Sequence, residues 1–198
     1  MNFSETEILQ KALQKDDGAF AELVEKYQSP VYNLCFRMLG SEVEAEDAAQ
    51  ETFWRAYQAL NRYDPNRSFI TWLLSIAAHL CIDQQRKRKV TIIEMDEYED
   101  FDIADRSPQP EARVIQRQEE EIIARSLNQL SDLDRAAVIL RYWQGFSEEE
   151  IASSLSLTVS AVKSRLHRAR LQLAGLLKEE GKQLFVEVEK EHHGTPAF

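Results

Sequence analysis

The chain has 198 residues, 43% of them hydrophobic, and a formal net charge of -10, enough apolar content for one large core or two small ones. No apolar run is long enough to cross a bilayer, and the opening MNFSETEILQ lacks a basic stretch followed by an apolar one. These features lead to the expectation of a cytoplasmic protein without membrane insertion.

Helix signals follow one another in chain order, and alternation of the strand type is nearly absent. SETE from Ser4, SEVE from Ser41 and SEEE from Ser147 each set a serine to accept the N3 amide while a glutamate reaches back. Glycines 18, 40, 145 and 181 and Pro30 punctuate the periodicity. On the helix begun by Ser41, Val43, Phe53, Ala56 and Leu60 are expected inward, leaving Asp47, Gln50 and Glu51 as an outer polar stripe. NRYDPNRS, residues 61–68, is a polar turn into a helix that Ser68 can cap. That helix offers Trp72, Leu73, Ile76 and Leu80 to a core and ends in the cations Arg86, Lys87, Arg88 and Lys89. Cys35 and Cys81 lie in apolar helical patterns without CxxC spacing, which predicts buried free thiols and no metal or disulfide.

Charge is unevenly distributed. Residues 94–111 hold eight acids against Arg106 alone, so residues 90–116 are expected to form an acidic linker. Residues 161–178 hold Lys163, Arg165, Arg168, Arg170 and Lys178 with no acid, a local basic patch of the kind that meets phosphates. Near the C-terminus, QLFVEVEK from Gln183 invites a short strand.

The stretch from Ser147 to Leu173 has helix-turn-helix spacing. Ile151, Ala152 and Leu155 share one face, a turn follows at Ser156 and Leu157, and Thr158 can cap the second helix. There Val162, Leu166, Ala169 and Leu173 recur at i, i+4, i+7 and i+11 and face the core, turning Ser160, Lys163, Ser164 and His167 outward toward a major groove. Arg165, Arg168 and Arg170 flank that face, where long cationic side chains suit phosphates. The expected fold is all-α: two small helical domains, residues 1–89 and 117–180, each compact, joined by linker 90–116 and followed by an extension, 181–198.

Residues 19–89, with EDAAQETFWRAYQAL and SFITWLLSIAAHL, resemble region 2 of the sigma-70 family in its small extracytoplasmic-function group. Residues 127–177, with LSDLDRAAVILRYWQGFSEEEIA and VKSRLHRAR, resemble region 4. The resemblance implies a subunit that binds bacterial core RNA polymerase, directs it to minus-ten and minus-thirty-five promoter elements and helps open the duplex. It implies polymerase contacts at Asp47, Gln50 and Glu51, and minus-ten contacts at Asn61, Tyr63, Asn66 and Arg67 with a flipped base. His79, Arg86, Lys87 and Arg88 are further minus-ten candidates, and Thr158, Ser160, Lys163, Ser164, Arg165, His167 and Arg168 are the minus-thirty-five set. Ser75 and His79 stand where arginine and asparagine are frequent in the family, which implies an altered minus-ten preference. An anti-sigma factor is an implied partner.

Two rival readings lack their required features. A regulator binding DNA by itself, usually as a dimer, needs a self-complementary dimer helix, which the sequence does not offer. A nucleic-acid enzyme needs clustered carboxylates or a rigid histidine–nucleophile pair, whereas the acids lie on helix surfaces or in the linker and His192 and His193 lie near the C-terminus. No catalytic residue, metal or cofactor is expected.

Overall fold

The structure, a computed structural model, describes the backbone of residues 5–94 and 121–192 and the side chains of 5–89 and 121–178. Every regular element in these residues is helical. The N-terminal unit comprises α1 (Glu5–Leu13), α2 (Asp17–Leu39), α3 (Glu42–Ala59), a short 3-10 turn (Leu60–Arg62) and α4 (Phe69–Glu94). The C-terminal unit comprises α5, described over 121–128, then α6 (Asp132–Tyr142), α7 (Glu148–Leu155) and α8 (Val159–His192).

Local chemistry places the helix ends. Asp16 caps α2 by accepting the Ala19 amide at 3.0 Å, and Ser41 caps α3 through the Glu44 amide. Between them α2 stops at Gly40, whose φ of 76° closes an αL turn with its N–H on Phe36 O. Only a residue without a Cβ adopts that backbone at no steric cost. The cap expected at Ser4 lies outside the described residues.

Buried apolar side chains then hold the helices together. In the N-terminal unit Leu23, Val31, Leu34 and Met38 of α2 meet Phe69, Leu73 and Leu74 of α4, and Ala45, Ala48 and Ala56 bring α3 close. Each fully buried large side chain contributes roughly 1.5–3 kcal/mol. In the C-terminal unit Val138, Ile139 and Leu140 of α6, Ile151 and Leu155 of α7, and Val162, Leu166 and Ala169 of α8 do the same. Cys35 and Cys81 are both buried, and the Cys35 thiol together with burial pushes the Cys81 thiol up from its ordinary value.

Four expectations change. Val43 is 70% exposed, because α3 turns its alanines and Thr52 inward and so closes tightly on its neighbours. α4 runs on to Glu94, through the start of the expected linker; residues 95–116 of that linker lie outside the described residues. Gln183–Lys190 is helical, part of an uninterrupted α8, rather than a strand. A lone strand leaves its backbone groups unpaired, whereas a continuing helix satisfies them internally. Finally, the two units do not keep separate interiors: α7 packs on α4, α6 packs on α2 and α4, and one buried set runs through both.

Candidate nucleic-acid and polymerase interface

The helix-turn-helix is built from the caps outward. Ser147 Oγ accepts the Glu150 amide at 3.1 Å and Ser147 N donates to Glu150 Oε2 at 2.8 Å, a reciprocal box that fixes the start of α7. The bond from the Ser147 amide is the leading cause holding the Glu150 carboxyl below its ordinary range. At the turn Ser156 takes φ 54° and ψ 42°, a left-handed backbone carried by a residue with a Cβ. Leu157 N then returns to Ala152 O at 2.9 Å, and Thr158 Oγ1 accepts the Ala161 amide at 3.2 Å to start α8.

This register buries Val162, Leu166 and Ala169 and leaves Leu173 half-buried. Thr158, Ser160, Lys163, Ser164, His167 and Arg168 are all exposed. Lys163 lies 3.5 Å from Glu148, a surface pair that water weakens and that a phosphate or base edge can displace. Arg165 differs from the rest of the set. Its Nη1 donates to Asp134 Oδ1 at 2.9 Å, tying α8 to α6 at a half-buried position.

The loop after α3 is organised by Asp64, whose Oδ1 accepts both the backbone and side-chain N–H of Asn66 at 3.0 Å. Asn61, Asn66 and Arg67 are exposed, while Tyr63 is buried. The Tyr63 ring packs at 5.4 Å from Phe69 and 5.2 Å from Trp72, and its hydroxyl donates to Arg67 O, so it braces the loop from beneath. Burial raises its phenol pKa. Arg67 Nη1 donates to Ser153 Oγ of α7 at 3.0 Å. Along α4, His79 is exposed with Nδ1 2.8 Å from Ser75 O; Arg86, Lys87 and Arg88 are exposed, Arg88 lying 3.6 Å from Glu44.

On α3, Asp47 and Gln50 are exposed, and Glu51 is half-buried against Arg55 Nε at 2.7 Å. Two residues missed in the sequence complete this face. Val43 and Trp54, 58% exposed, stand at i and i+11 of a stripe that passes through Asp47 and Gln50. Their spacing was the available signal, obscured by the habit of sending large apolar residues inward. Acids flanked by an exposed tryptophan make a surface suited to a protein partner.

The comparisons with known proteins agree with this layout. The sigma-70 region 2 family model matches residues 23–91, and the sigma-70 region 4 model matches residues 120–173. The ECF RNA polymerase sigma factor SigW of Bacillus subtilis is 37% identical over 176 residues, covering 83% of this chain and 91% of SigW. CnrH of Cupriavidus metallidurans is 30% identical over 179 residues, covering 87% and 94%. The solved structure of CnrH in complex with the cytosolic domain of CnrY superposes with a TM-score of 0.66 at 27% identity, over 88% of this chain and 97% of that one. RpoE of Bartonella quintana, solved with the anti-sigma factor NepR, gives a TM-score of 0.65 at 25% identity, over 80% and 96%. With two family models matched in order and this identity sustained over most of its length, the chain belongs to the sigma-70 family of RNA polymerase sigma factors, in the extracytoplasmic-function group.

Proposed function

We propose that the protein is a promoter-specificity subunit that acts by binding rather than by catalysis, in the cytoplasm where core RNA polymerase works. The observation that carries this reading is the solvent-facing side of α8. Ser160, Lys163, Ser164, His167 and Arg168 share an exposed, capped helix whose residues 161–178 contain no acid. Ser160, Lys163, Ser164 and His167 read base edges of the minus-thirty-five element, while Arg168 and Thr158 contact phosphates. Arg165, grouped with them by the sequence, instead pairs with Asp134 of α6 and holds α8 in register.

In the N-terminal unit, Asp47, Gln50 and Glu51 engage the polymerase, with Val43 and Trp54 adding apolar area. Asn61, Asn66 and Arg67 hold an unstacked base of the minus-ten element above the Tyr63 ring, an exchange in which pocket contacts offset a few kcal/mol of lost stacking. His79, Arg86, Lys87 and Arg88 follow the adjoining backbone. An anti-sigma factor is a further partner, supported by the relatives' structures with CnrY and NepR.

The test is transcription in vitro from a genomic DNA library with purified bacterial core polymerase. The expected result is a set of transcripts that share one bipartite upstream motif and depend on this chain. Initiation that ignores its addition refutes the reading.

A further inference from the structure

The floor beneath the loop of residues 61–68 is a run of four aromatic rings. Tyr63 packs on Phe69 at 5.4 Å and on Trp72 at 5.2 Å, and Phe69 lies 5.6 Å from Trp72. Tyr27 of α2 closes the far side of the run, 5.5 Å from Phe69. Tyr27, Tyr63 and Phe69 are buried, so none of the three turns without moving its neighbour. The Tyr63 hydroxyl ends the run on Arg67 O, inside the loop itself.

At its other end the run is fixed by a residue of α1. Tyr27 is 7% exposed, and its hydroxyl donates to Glu5 Oε1 at 2.5 Å. A phenol on a buried ring needs a partner, so the ring takes the orientation that reaches α1. Glu5 Oε2 also pairs with Lys26, whose ammonium lies 5.2 Å from the centre of the Tyr27 ring. Lys26 and then Tyr27 hold the Glu5 carboxyl below its ordinary range, which keeps it an ionised acceptor. Burial, followed by the bond to Glu5, pushes the Tyr27 phenol up, which keeps it a donor.

We propose that Glu5 is a positioning residue for minus-ten recognition: through Tyr27, Phe69 and Tyr63 it sets the place of the loop that holds the unstacked base. The inference rests on the sigma reading given above, and it adds a residue of α1 that lies ahead of 23–91, the segment matched by the region 2 model. Glu5 acts without touching DNA. It removes freedom from the loop before the base arrives, so that binding does not have to supply the ordering.

The hydrogen bond, rather than the ion pair, carries the effect. The Lys26 and Glu5 side chains are 46% and 41% exposed, and a pair so open to water contributes little. The Tyr27 hydroxyl belongs to a buried side chain, and its bond to a carboxylate is charge-assisted. Lys26 is therefore the comparison that separates general stabilisation from positioning.

The experiment uses the full chain bound to core polymerase and a promoter duplex recovered in the transcription test above, with 2-aminopurine at successive non-template positions of its minus-ten element. This base brightens when it leaves the stack. Glu5→Ala and Tyr27→Phe should each need about fivefold more holoenzyme to reach the midpoint of the brightening, the usual consequence of losing one hydrogen bond. Glu5→Gln keeps an acceptor for the hydroxyl and should stay within about twofold of wild type, as should Lys26→Met. Binding to a duplex that carries only the minus-thirty-five element should be the same for every variant. Tyr27→Phe keeps the ring and its packing, so it decides the matter if Glu5→Ala frays α1.

Brightening that either Glu5→Ala or Tyr27→Phe leaves unchanged overturns the positioning role. So does a loss shared equally by Lys26→Met or by the minus-thirty-five duplex, since general destabilisation strikes all of them alike. In each of those results, wild-type transcripts leave the sigma reading standing. A wild-type chain that yields no transcripts and brightens no base removes the sigma reading and the role of Glu5 together.

Discussion

Replacing Arg165 and Arg168 by alanine separates a structural cation from one proposed to face DNA on the same helix. The Arg165–Asp134 pair joins α8 to α6 at 2.9 Å, with side chains 25% and 18% exposed. A fully exposed pair contributes about 0–1 kcal/mol and breaking a fully buried one costs about 3–5 kcal/mol. The intermediate burial, and a charge-assisted bond, put Arg165→Ala near 2 kcal/mol. At a urea slope of about 1–3 kcal/mol per molar, the unfolding midpoint should fall by roughly 1 M. Arg168 is exposed, and its loss should change stability by less than about 0.5 kcal/mol. In DNA binding followed by fluorescence anisotropy across salt concentrations, Arg168→Ala should lower the slope of log affinity against log salt by about 1, while Arg165→Ala should leave it nearly unchanged. A double-mutant cycle with Asp134→Ala should return a coupling of about 1–2 kcal/mol. The assignment is refuted if Arg165→Ala keeps its unfolding midpoint and lowers the salt slope by one.

Lys163→Ala should relax discrimination at one position of the upstream element by roughly tenfold, measured by competition among duplexes permuted base by base. Trp54→Ala should weaken core-polymerase affinity by about tenfold or more in a pull-down titration, with duplex binding by α8 unaltered. Iodoacetamide at pH 8 should modify neither Cys35 nor Cys81 in the folded chain and both in urea, because both thiols are buried and the Cys81 thiol is pushed up; mass spectrometry reads the adducts. Glu150 has a depressed folded pKa, so its contribution to stability is present above the ordinary glutamate value of about 4.3 and is lost as pH falls through the folded value. Glu150→Gln should therefore lose less stability than wild type between pH 6 and pH 3, judged by urea midpoints.

The parts of the molecule that could be read in advance are those fixed by neighbours in sequence. Caps at Ser41, Ser147 and Thr158 depend on residues three positions away, and each stands where the pattern put it. The outward face of α8 follows from helical spacing and is exposed as expected. Side-chain direction in the N-terminal unit was harder. Val43 is apolar and Tyr63 sits in a polar loop, yet Val43 faces water and Tyr63 is buried, because close alanine packing sets the rotation of α3 and the Tyr63 hydroxyl finds Arg67 O. Arg135 was least legible. Nothing local distinguishes it from a surface cation, and its burial arises only when helix ends distant in the chain meet.

α8 also has a mechanical consequence. Its 34 residues form one helix about 50 Å long at 1.5 Å per residue, and the turns proposed to read DNA are at its N-terminal end. With no break before His192, load placed on the far end arrives at the groove as torque instead of being absorbed by a hinge. On the proposed reading, the far end of α8 is thus a handle on the angle at which the helix addresses a promoter.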